Sequence, residues 1–181
     1  MSKPVLFMSM SLDGYIAGPN DKVDNPGGDG FMRLHEWYGD FSRPSGQMSE
    51  LWDQWNTPGA ILAGRRGAAH RGAGGSLGQQ SSRRRIFVPS HRSPGPSVAN
   101  YPLVTYVNDG IESAMAQAKA AAGDREVLVL GAYTAQKALG AGVLDELQIH
   151  QIPVLFGGGR RLFEGLPSRL ELEIVRVIDT P

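Results

Sequence analysis

The chain has 181 residues, enough for one domain with a substantial apolar core. Lys+Arg and Asp+Glu both number 18, so no net charge favours nucleic acid or an anionic membrane surface as a partner. The absence of cysteine excludes disulfides, thiol catalysis and thiolate metal sites, and we predict no metal site. Because no segment has the pattern of a signal peptide or a membrane span, we expect a cytoplasmic protein.

The first part of the chain alternates short apolar strands with loops rich in glycine and proline. Residues 5–9 predict a buried strand that ends in the turn 11–14, and a long irregular stretch, 27–46, contains one short helical face. Residues 49–55 predict a second short helix, stopped by Pro58 and Gly59. Strands follow at 60–63 and 85–88.

The second part predicts alternating strands and helices, then strands alone. A strand at 103–107 leads to an alanine-rich helix, 110–122, which Gly123 ends. A half-buried strand is predicted at 145–151, and a last strand at 170–178 alternates apolar with charged residues. Since no helix separates these last strands, we expect the otherwise parallel α/β sheet of a single domain, 1–181, to finish antiparallel.

One stretch predicts an anion-binding turn. Val127 to Leu130 are typical of a buried strand, and Gly131 separates them from residues 132–139, which have helical spacing. Such a turn gathers free backbone N–H groups at the positive end of a helix dipole, which favours phosphate. Many α/β proteins use the same turn only to pack a helix against a sheet, so the pattern alone leaves both interpretations open.

Five motifs occur in an order shared with one superfamily. They are residues 11–18, 62–66, 88–92, 130–134 and 141–163, and the last is the most specific because it joins Leu-Asp-Glu-Leu, Pro-Val-Leu-Phe and a glycine triplet. Together they resemble the dihydrofolate-reductase-like superfamily, in particular its branch related to the reductase domain of riboflavin biosynthesis. The resemblance implies a three-layer α/β fold: a mixed, mostly parallel sheet with antiparallel C-terminal strands, flanked by helices, that binds NADPH across the strand ends.

The resemblance also implies the cofactor contacts. A basic turn after one strand would pair bidentately with phosphate, although a solvated turn is the alternative. The loop after the next strand would bind the ribose 2′-phosphate that distinguishes NADPH from NADH. Gly131 and the residues after it would bind the pyrophosphate. The predicted cofactor-binding residues are Ala17, Gly64, Arg65, Arg66, Ser90, His91, Arg92, Gly131, Ala132, Tyr133, Thr134 and Ala135.

Two positions depart from the family pattern. Relatives usually carry two glycines where this chain has Gly131 and Ala132, and the added methyl group is expected to crowd the cofactor or disfavour the backbone conformation. Residues 67–70 lack the threonine, aromatic and acid that relatives tend to carry, so one phosphate-facing hydroxyl is expected to be lost. Both departures weaken the expectation of tight NADPH binding.

Asp13 is the predicted catalytic residue. The resemblance places residues 11–17 beside the reactive ring, and Asp13 is the one acid in that motif. The alternative is that Asp13 and Gly14 only form a tight turn. The acid that binds the pterin in folate reductases has no clear counterpart, although Asp24, Asp29, Glu36 and Asp53 are candidates. Four aromatic residues fit either of two roles, a wall of a pocket for a flat heterocycle or anchors in the apolar core. They are Trp37, Tyr38, Trp52 and Trp55.

The resemblance thus implies an NADPH-dependent reductase that transfers hydride to a C=N or C=O bond of a small heterocyclic substrate. The model activity is that of a 5-amino-6-(5-phosphoribosylamino)uracil reductase in riboflavin biosynthesis. Dihydrofolate reductase and a non-catalytic nucleotide-binding protein of the same fold are the alternatives. The apolar residues 152–156 fit a homodimer interface as well as a buried strand.

Overall fold

The fold is built on six parallel strands. A computed structural model describes residues 2–38, 45–67, 84–93, 101–166 and 168–179. The strands, in chain order, are β1 (Pro4–Ser11), β2 (Tyr15–Ala17), β3 (Ala60–Ala63), β4 (Arg85–Pro89), β5 (Val104–Val107), β6 (Val127–Leu130), β7 (Glu146–Ile152) and β8 (Arg160–Arg161). The large sheet has the order β5-β4-β3-β6-β1-β7, and every neighbouring pair is parallel. β2 and β8 form a separate antiparallel pair.

The helices cover both faces of the sheet, which gives three layers. They are α1 (Gln47–Asn56), α2 (Ile111–Ala122) and α3 (Ala132–Gly140), with short 3-10 segments at Phe31–Leu34 and Glu36–Tyr38. Leu62 and Val129 pack on one face with residues of α2 and α3. Ile61 and Leu128 point to the other face, where they pack with Trp55 of α1. The predicted α/β architecture is therefore confirmed, and none of the helices within the described ranges is long and apolar enough to cross a membrane.

Small residues bring α2 close to the sheet. Ala114, Ala118 and Ala122 are buried on the face that α2 turns to β3 and β4. At the end of this helix the backbone of Ala122 lies so close to Gly59 that any side chain at position 59 would overlap it. Gly59 is therefore needed for close approach, in addition to ending the segment before β3.

The C-terminal part of the sheet differs from the prediction. β7 runs parallel to β1, and the antiparallel ladder is instead the small β2–β8 pair. The connection from β6 through α3 is a crossover, and a crossover returns the chain in its original direction, so β7 must be parallel. Residues 170–178 have no regular secondary structure, and most of their apolar side chains are exposed. Their alternating pattern fits a strand, but no described strand pairs with them.

An aromatic cluster packs against β1 and β7. The ring of His150 on β7 lies 4.3 Å from that of Phe7 and 4.4 Å from that of Trp37, measured between centroids. Phe7 also packs on Trp55, and the indole N–H of Trp37 donates to the hydroxyl of Ser9 at 3.0 Å. Burial, followed by the charge of His35, lowers the pKa of His150 to about 3. Trp37 and Trp55 thus anchor this cluster.

We expect the titration of His150 to make stability depend on pH. Its pKa is about 3 in the folded chain and 6.5 in the reference state, so its contribution is complete above pH 6.5 and is lost as the pH falls towards 3. The free energy of unfolding then changes by at most about 1.4 kcal/mol per pH unit. His150→Phe keeps a ring in the cluster and removes the proton, so it should flatten the fall in unfolding free energy measured by urea denaturation between pH 7 and pH 4.

The matched control for this prediction is His91→Asn, which removes an exposed histidine outside the cluster. This control should retain the wild-type slope. A wild-type slope in His150→Phe as well would show that His150 does not carry the acid sensitivity.

Candidate active site

The segments that carry the predicted site residues meet at one edge of the sheet. Because β1, β3, β4 and β6 are parallel, their carboxyl ends lie at the same edge. The segments that begin at Leu12, Gly64, Ser90 and Gly131 follow these strands. The structure therefore brings together the motifs that are far apart in the sequence, in the place where open α/β sheets bind their ligands.

The turn from β6 into α3 is an open helix N-terminus. Gly131 has φ 89° and ψ 144°, a conformation that side-chain-bearing residues rarely adopt, although a Cβ there would meet nothing within 4 Å. The N–H groups of Ala132, Tyr133 and Thr134 lie in the first turn, where a helix supplies no acceptor. Ala135, also predicted as a contact, donates its N–H to the carbonyl oxygen of Gly131 at 3.0 Å and is fully buried, so it offers neither backbone nor side chain.

Thr134 carries an unsatisfied hydroxyl at this terminus. Its side chain is 1% exposed, and its Oγ1 has no hydrogen-bond partner among the described residues. A Cβ at position 64 would come within 3.2 Å of that oxygen, so Gly64 keeps the space beside it open. A buried hydroxyl without a partner is rare, because it costs free energy unless a ligand or water satisfies it. The position is therefore suited to a hydrogen-bonding ligand.

The methyl group of Ala132 does not crowd this site. Ala132 is buried, and it packs in an apolar cluster with Leu6, Ile16, Ala135 and Leu162. Its φ is not positive, since Asn20 is the one non-glycine residue with positive φ in the described ranges. The expected backbone strain is therefore wrong: the alanine begins the helix without a positive φ, and its side chain packs in the apolar core. The second departure, at residues 67–70, lies outside the described residues except for Gly67.

Arg65 supports the loop after β4. Its guanidinium donates to the hydroxyl of Ser90 at 3.1 Å and to the carbonyl oxygens of Arg92 and Ser93 at 3.1 and 3.2 Å, and it lies over the ring of Tyr106. The Ser90 hydroxyl also bonds the backbone of Arg92. Arg65, predicted as a phosphate ligand, thus braces this loop through Nη1, and the side chains of His91 and Arg92 on the loop are exposed.

Arg66 faces away from Arg65. Its guanidinium donates to Asp21 at 2.9 Å, and Arg160 of β8 contacts the same carboxylate. No local pattern predicts the contact of Asp21 with Arg160, because the two positions are far apart in the chain. Only the pairing of β2 with β8, which places Ala17 opposite Arg160, brings them together.

Asp13 holds two loops together. Its Oδ1 accepts from the Ser11 hydroxyl at 2.6 Å and from the N–H of Phe156 at 3.1 Å, while its Oδ2 accepts from the N–H of Gly157 at 2.7 Å. The bond from Ser11, together with those from the two N–H groups, lowers the pKa of Asp13 to about 2 despite desolvation. The carboxyl is thus ionised at neutral pH and has no proton to donate. The structure favours the turn interpretation of Asp13. It also shows that Asp13 binds the backbone of the segment after β7.

The remaining predicted residues are placed as follows. Ala17 is buried in β2, and its carbonyl oxygen lies against Gly159, where a side chain would overlap it. The ring of Tyr133 is exposed beside Lys137, so only its N–H points into the α3 turn.

The side chain of Tyr38 is outside the described part of the structure. Asp29 accepts hydrogen bonds from two asparagines, and Asp24 and Glu36 form exposed local ion pairs.

No group of three or more His, Asp or Glu side chains within the described ranges is arranged to hold a metal ion.

Comparison with curated proteins found no match. The family model of the RibD C-terminal domain matches residues 3–180. A similar solved structure, named as a riboflavin biosynthesis protein, comes from Shewanella sp. PV-4: the TM-score is 0.64 and the identity 24%, over 96% of this chain and 90% of that one.

Two other similar structures are longer proteins. RibD of Acinetobacter baumannii has a TM-score of 0.56 and 17% identity, over 99% of this chain and 55% of that one. A diaminohydroxyphosphoribosylaminopyrimidine deaminase/5-amino-6-(5-phosphoribosylamino)uracil reductase of Thermotoga maritima has a TM-score of 0.57 and 16% identity, over 95% and 50%. The chain thus spans about half the length of both. These likenesses show the fold, and the family match over nearly the whole chain shows that this protein belongs to the RibD C-terminal domain family.

Proposed function

We propose that this protein is an NADPH-dependent reductase that transfers a hydride to a C=N or C=O bond of a small heterocyclic substrate in the cytoplasm. The supporting observation is the unsatisfied, buried hydroxyl of Thr134 at the open N-terminus of α3, between Gly64 and Gly131. The family adds support, because one similar structure is named as a 5-amino-6-(5-phosphoribosylamino)uracil reductase.

The residues at the sheet edge fit the two phosphate-bearing parts of NADPH. The first-turn N–H groups of α3 and the Thr134 hydroxyl are donors for the pyrophosphate. The exposed guanidinium of Arg92, on the loop braced by Arg65, suits the ribose 2′-phosphate, with Ser90 and His91 beside it. NADPH would supply the hydride, while the protein would bind and orient the reacting groups.

Asp13 would serve this reaction by position. As an ionised carboxylate bonded to Phe156 and Gly157, it holds the segment after β7 against the turn after β1. These two segments border the carboxyl end of β1, where Trp37 donates to Ser9. A flat heterocycle bound here would lie between a fixed backbone and an aromatic side chain.

A non-catalytic nucleotide-binding protein is the second candidate, and the hydrogen bonds of Asp13 favour it, because both oxygens of the one acid in the motif are used to hold two loops together. The two candidates differ in turnover. A panel of pterins, pyrimidines and aldehydes, incubated with NADPH, should show loss of reduced cofactor with at least one member. Cofactor binding without turnover across the panel would favour the second candidate.

Replacement of Thr134 should separate binding from stability. Thr134→Val removes a hydroxyl that no described residue satisfies, so the melting temperature of the free protein should be unchanged or higher. If the hydroxyl donates to a phosphate, the Kd for NADPH measured by calorimetry should rise about tenfold, since a hydrogen bond to a charged group contributes about 1.5–3 kcal/mol.

The control for this variant is Thr57→Val, at the C-terminal end of α1, whose Kd should stay at the wild-type value. A wild-type Kd in Thr134→Val would mean that the cofactor does not contact this hydroxyl, and it would remove the main support for the proposal.

Arg92 should determine the choice between cofactors. NADPH should raise the melting temperature of the wild-type protein more than NADH does, and Arg92→Ala should erase the difference by lowering the NADPH shift alone. Arg125→Ala is the control, because Arg125 is exposed before the start of β6, at the opposite edge of the sheet. Equal shifts from both cofactors in the wild-type protein would contradict the assignment of Arg92.

A further inference from the structure

A methionine sulfur contacts the α3 turn from the neighbouring strand. The N–H of Gly131 donates to Sδ of Met8 at 3.5 Å. β1 pairs with β6 up to Leu6 and Val129, and Met8 and Gly131 each lie two residues further along the chain. The thioether thus supplies a weak acceptor for this N–H at the place where the ladder has ended.

This sulfur borders the donors of the α3 N-terminus. Gly131 precedes Ala132, Tyr133 and Thr134, whose N–H groups lie in the first turn of the helix. Because Gly131 is joined directly to this turn, a group bonded to its N–H lies next to any anion that the first-turn N–H groups bind. A change in the polarity or size of the sulfur group would therefore act on that anion.

Met8 is held in place but is not sealed from solvent. It is half-buried, and its side chain packs against two apolar clusters, one that contains Leu130 and one that contains Ala132. Two other methionines provide contrasts. Met10 of the same strand is half-buried against the Ala132 cluster, and Met32 is 61% exposed. Met8 thus combines access for a small oxidant with a hydrogen bond to the α3 turn.

We propose that the thioether of Met8 is an oxidation site for hydrogen peroxide, and that its sulfoxide closes the α3 turn to anions. In this step the O–O bond of the peroxide breaks and one oxygen bonds to the sulfur, which loses two electrons. The other oxygen leaves with both protons as water. Oxygen added to the lone pair that faces Gly131 gives one of the two sulfoxide epimers, with the new oxygen directed towards that N–H.

The sulfoxide would oppose an anion in two ways. Its oxygen carries partial negative charge and accepts hydrogen bonds, whereas the thioether is apolar and a weak acceptor. The added atom also enlarges a side chain that lies between two packed clusters, so the turn must shift to accommodate it. The effect on NADPH rests on the proposed function, because it requires the pyrophosphate to bind at α3. The oxidation of Met8 and its effect on the Gly131 N–H do not.

The first test needs no cofactor. The purified protein is treated with hydrogen peroxide, and mass spectrometry of its peptides measures the sulfoxide at each methionine. The amide resonance of Gly131, followed by NMR in ¹⁵N-labelled protein, should move as Met8 sulfoxide accumulates. Met8→Leu keeps an apolar side chain and should abolish this response. Met10→Leu and Met32→Leu are the matched controls, and both should respond as the wild-type protein does.

The second test measures the Kd for NADPH by calorimetry before and after peroxide. Oxidation should raise the Kd of the wild-type protein about tenfold, the size of one hydrogen bond to a charged group. The Kd of Met8→Leu should not respond to peroxide, whereas those of the two control variants should rise as in the wild type. The methionine sulfoxide reductases, of which each reduces one epimer, should restore the original Kd and the original Gly131 resonance. This reversal serves as the test if Met8→Leu does not fold.

Three results would overturn the proposal. They are oxidation of Met32 without oxidation of Met8, a Gly131 resonance that ignores Met8 sulfoxide, and a Kd that stays constant although Met8 is oxidised. Failure of the proposed function is a different result: the untreated protein would not bind NADPH at all. The Gly131 resonance would still decide whether Met8 sulfoxide acts on the α3 turn.

Discussion

β6 lies between β3 and β1, with Val127 opposite both Ala60 and Pro4, and this parallel register governs the rest of the structure. It brings the carboxyl ends of the three strands to one edge, where Gly131, Gly64 and the turn after β1 follow at once. A shift of one residue would exchange the two faces, because side chains alternate along a strand. The buried faces that pack on α1, α2 and α3 thus hold the position of the site.

At this edge the charged residues divide into those that brace loops and those that remain available. Arg65 holds the loop after β4, Asp13 holds the segment after β7, and Asp21 joins three segments. Charge-assisted hydrogen bonds of this kind are stronger than neutral ones, so they can fix loops that no ladder supports. The side chains of Arg92, Arg66 and Arg160 remain exposed near these contacts. The braces therefore organise a positive surface on both sides of the α3 turn.

Local patterns predict the buried strands and the glycine turn well, because strand length, apolar runs and a required positive φ are properties of adjacent residues. They do not predict contacts such as Asp13 with Gly157, since these depend on how separate strands pair. The direction of β7 follows from the crossover through α3, which alternation alone does not reveal. Residues 170–178 show the same limit, because an alternating pattern becomes a strand only beside a partner. The burial of Ala132 likewise depends on tertiary packing that a family pattern does not contain.

The topology also constrains the order in which the chain can fold. β1 precedes the other described strands in the chain, yet its partners are β6 and β7, more than a hundred residues later. Until Val127 is available, the apolar residues of β1 have no strand to pair with, whereas β3, β4 and β5 can assemble with one another. Closing so long a loop is slow, because its entropic cost precedes the gain from pairing. The sheet edge that carries the α3 turn is therefore completed only late in folding, and a ribosome-bound chain that ends before β6 lacks it altogether.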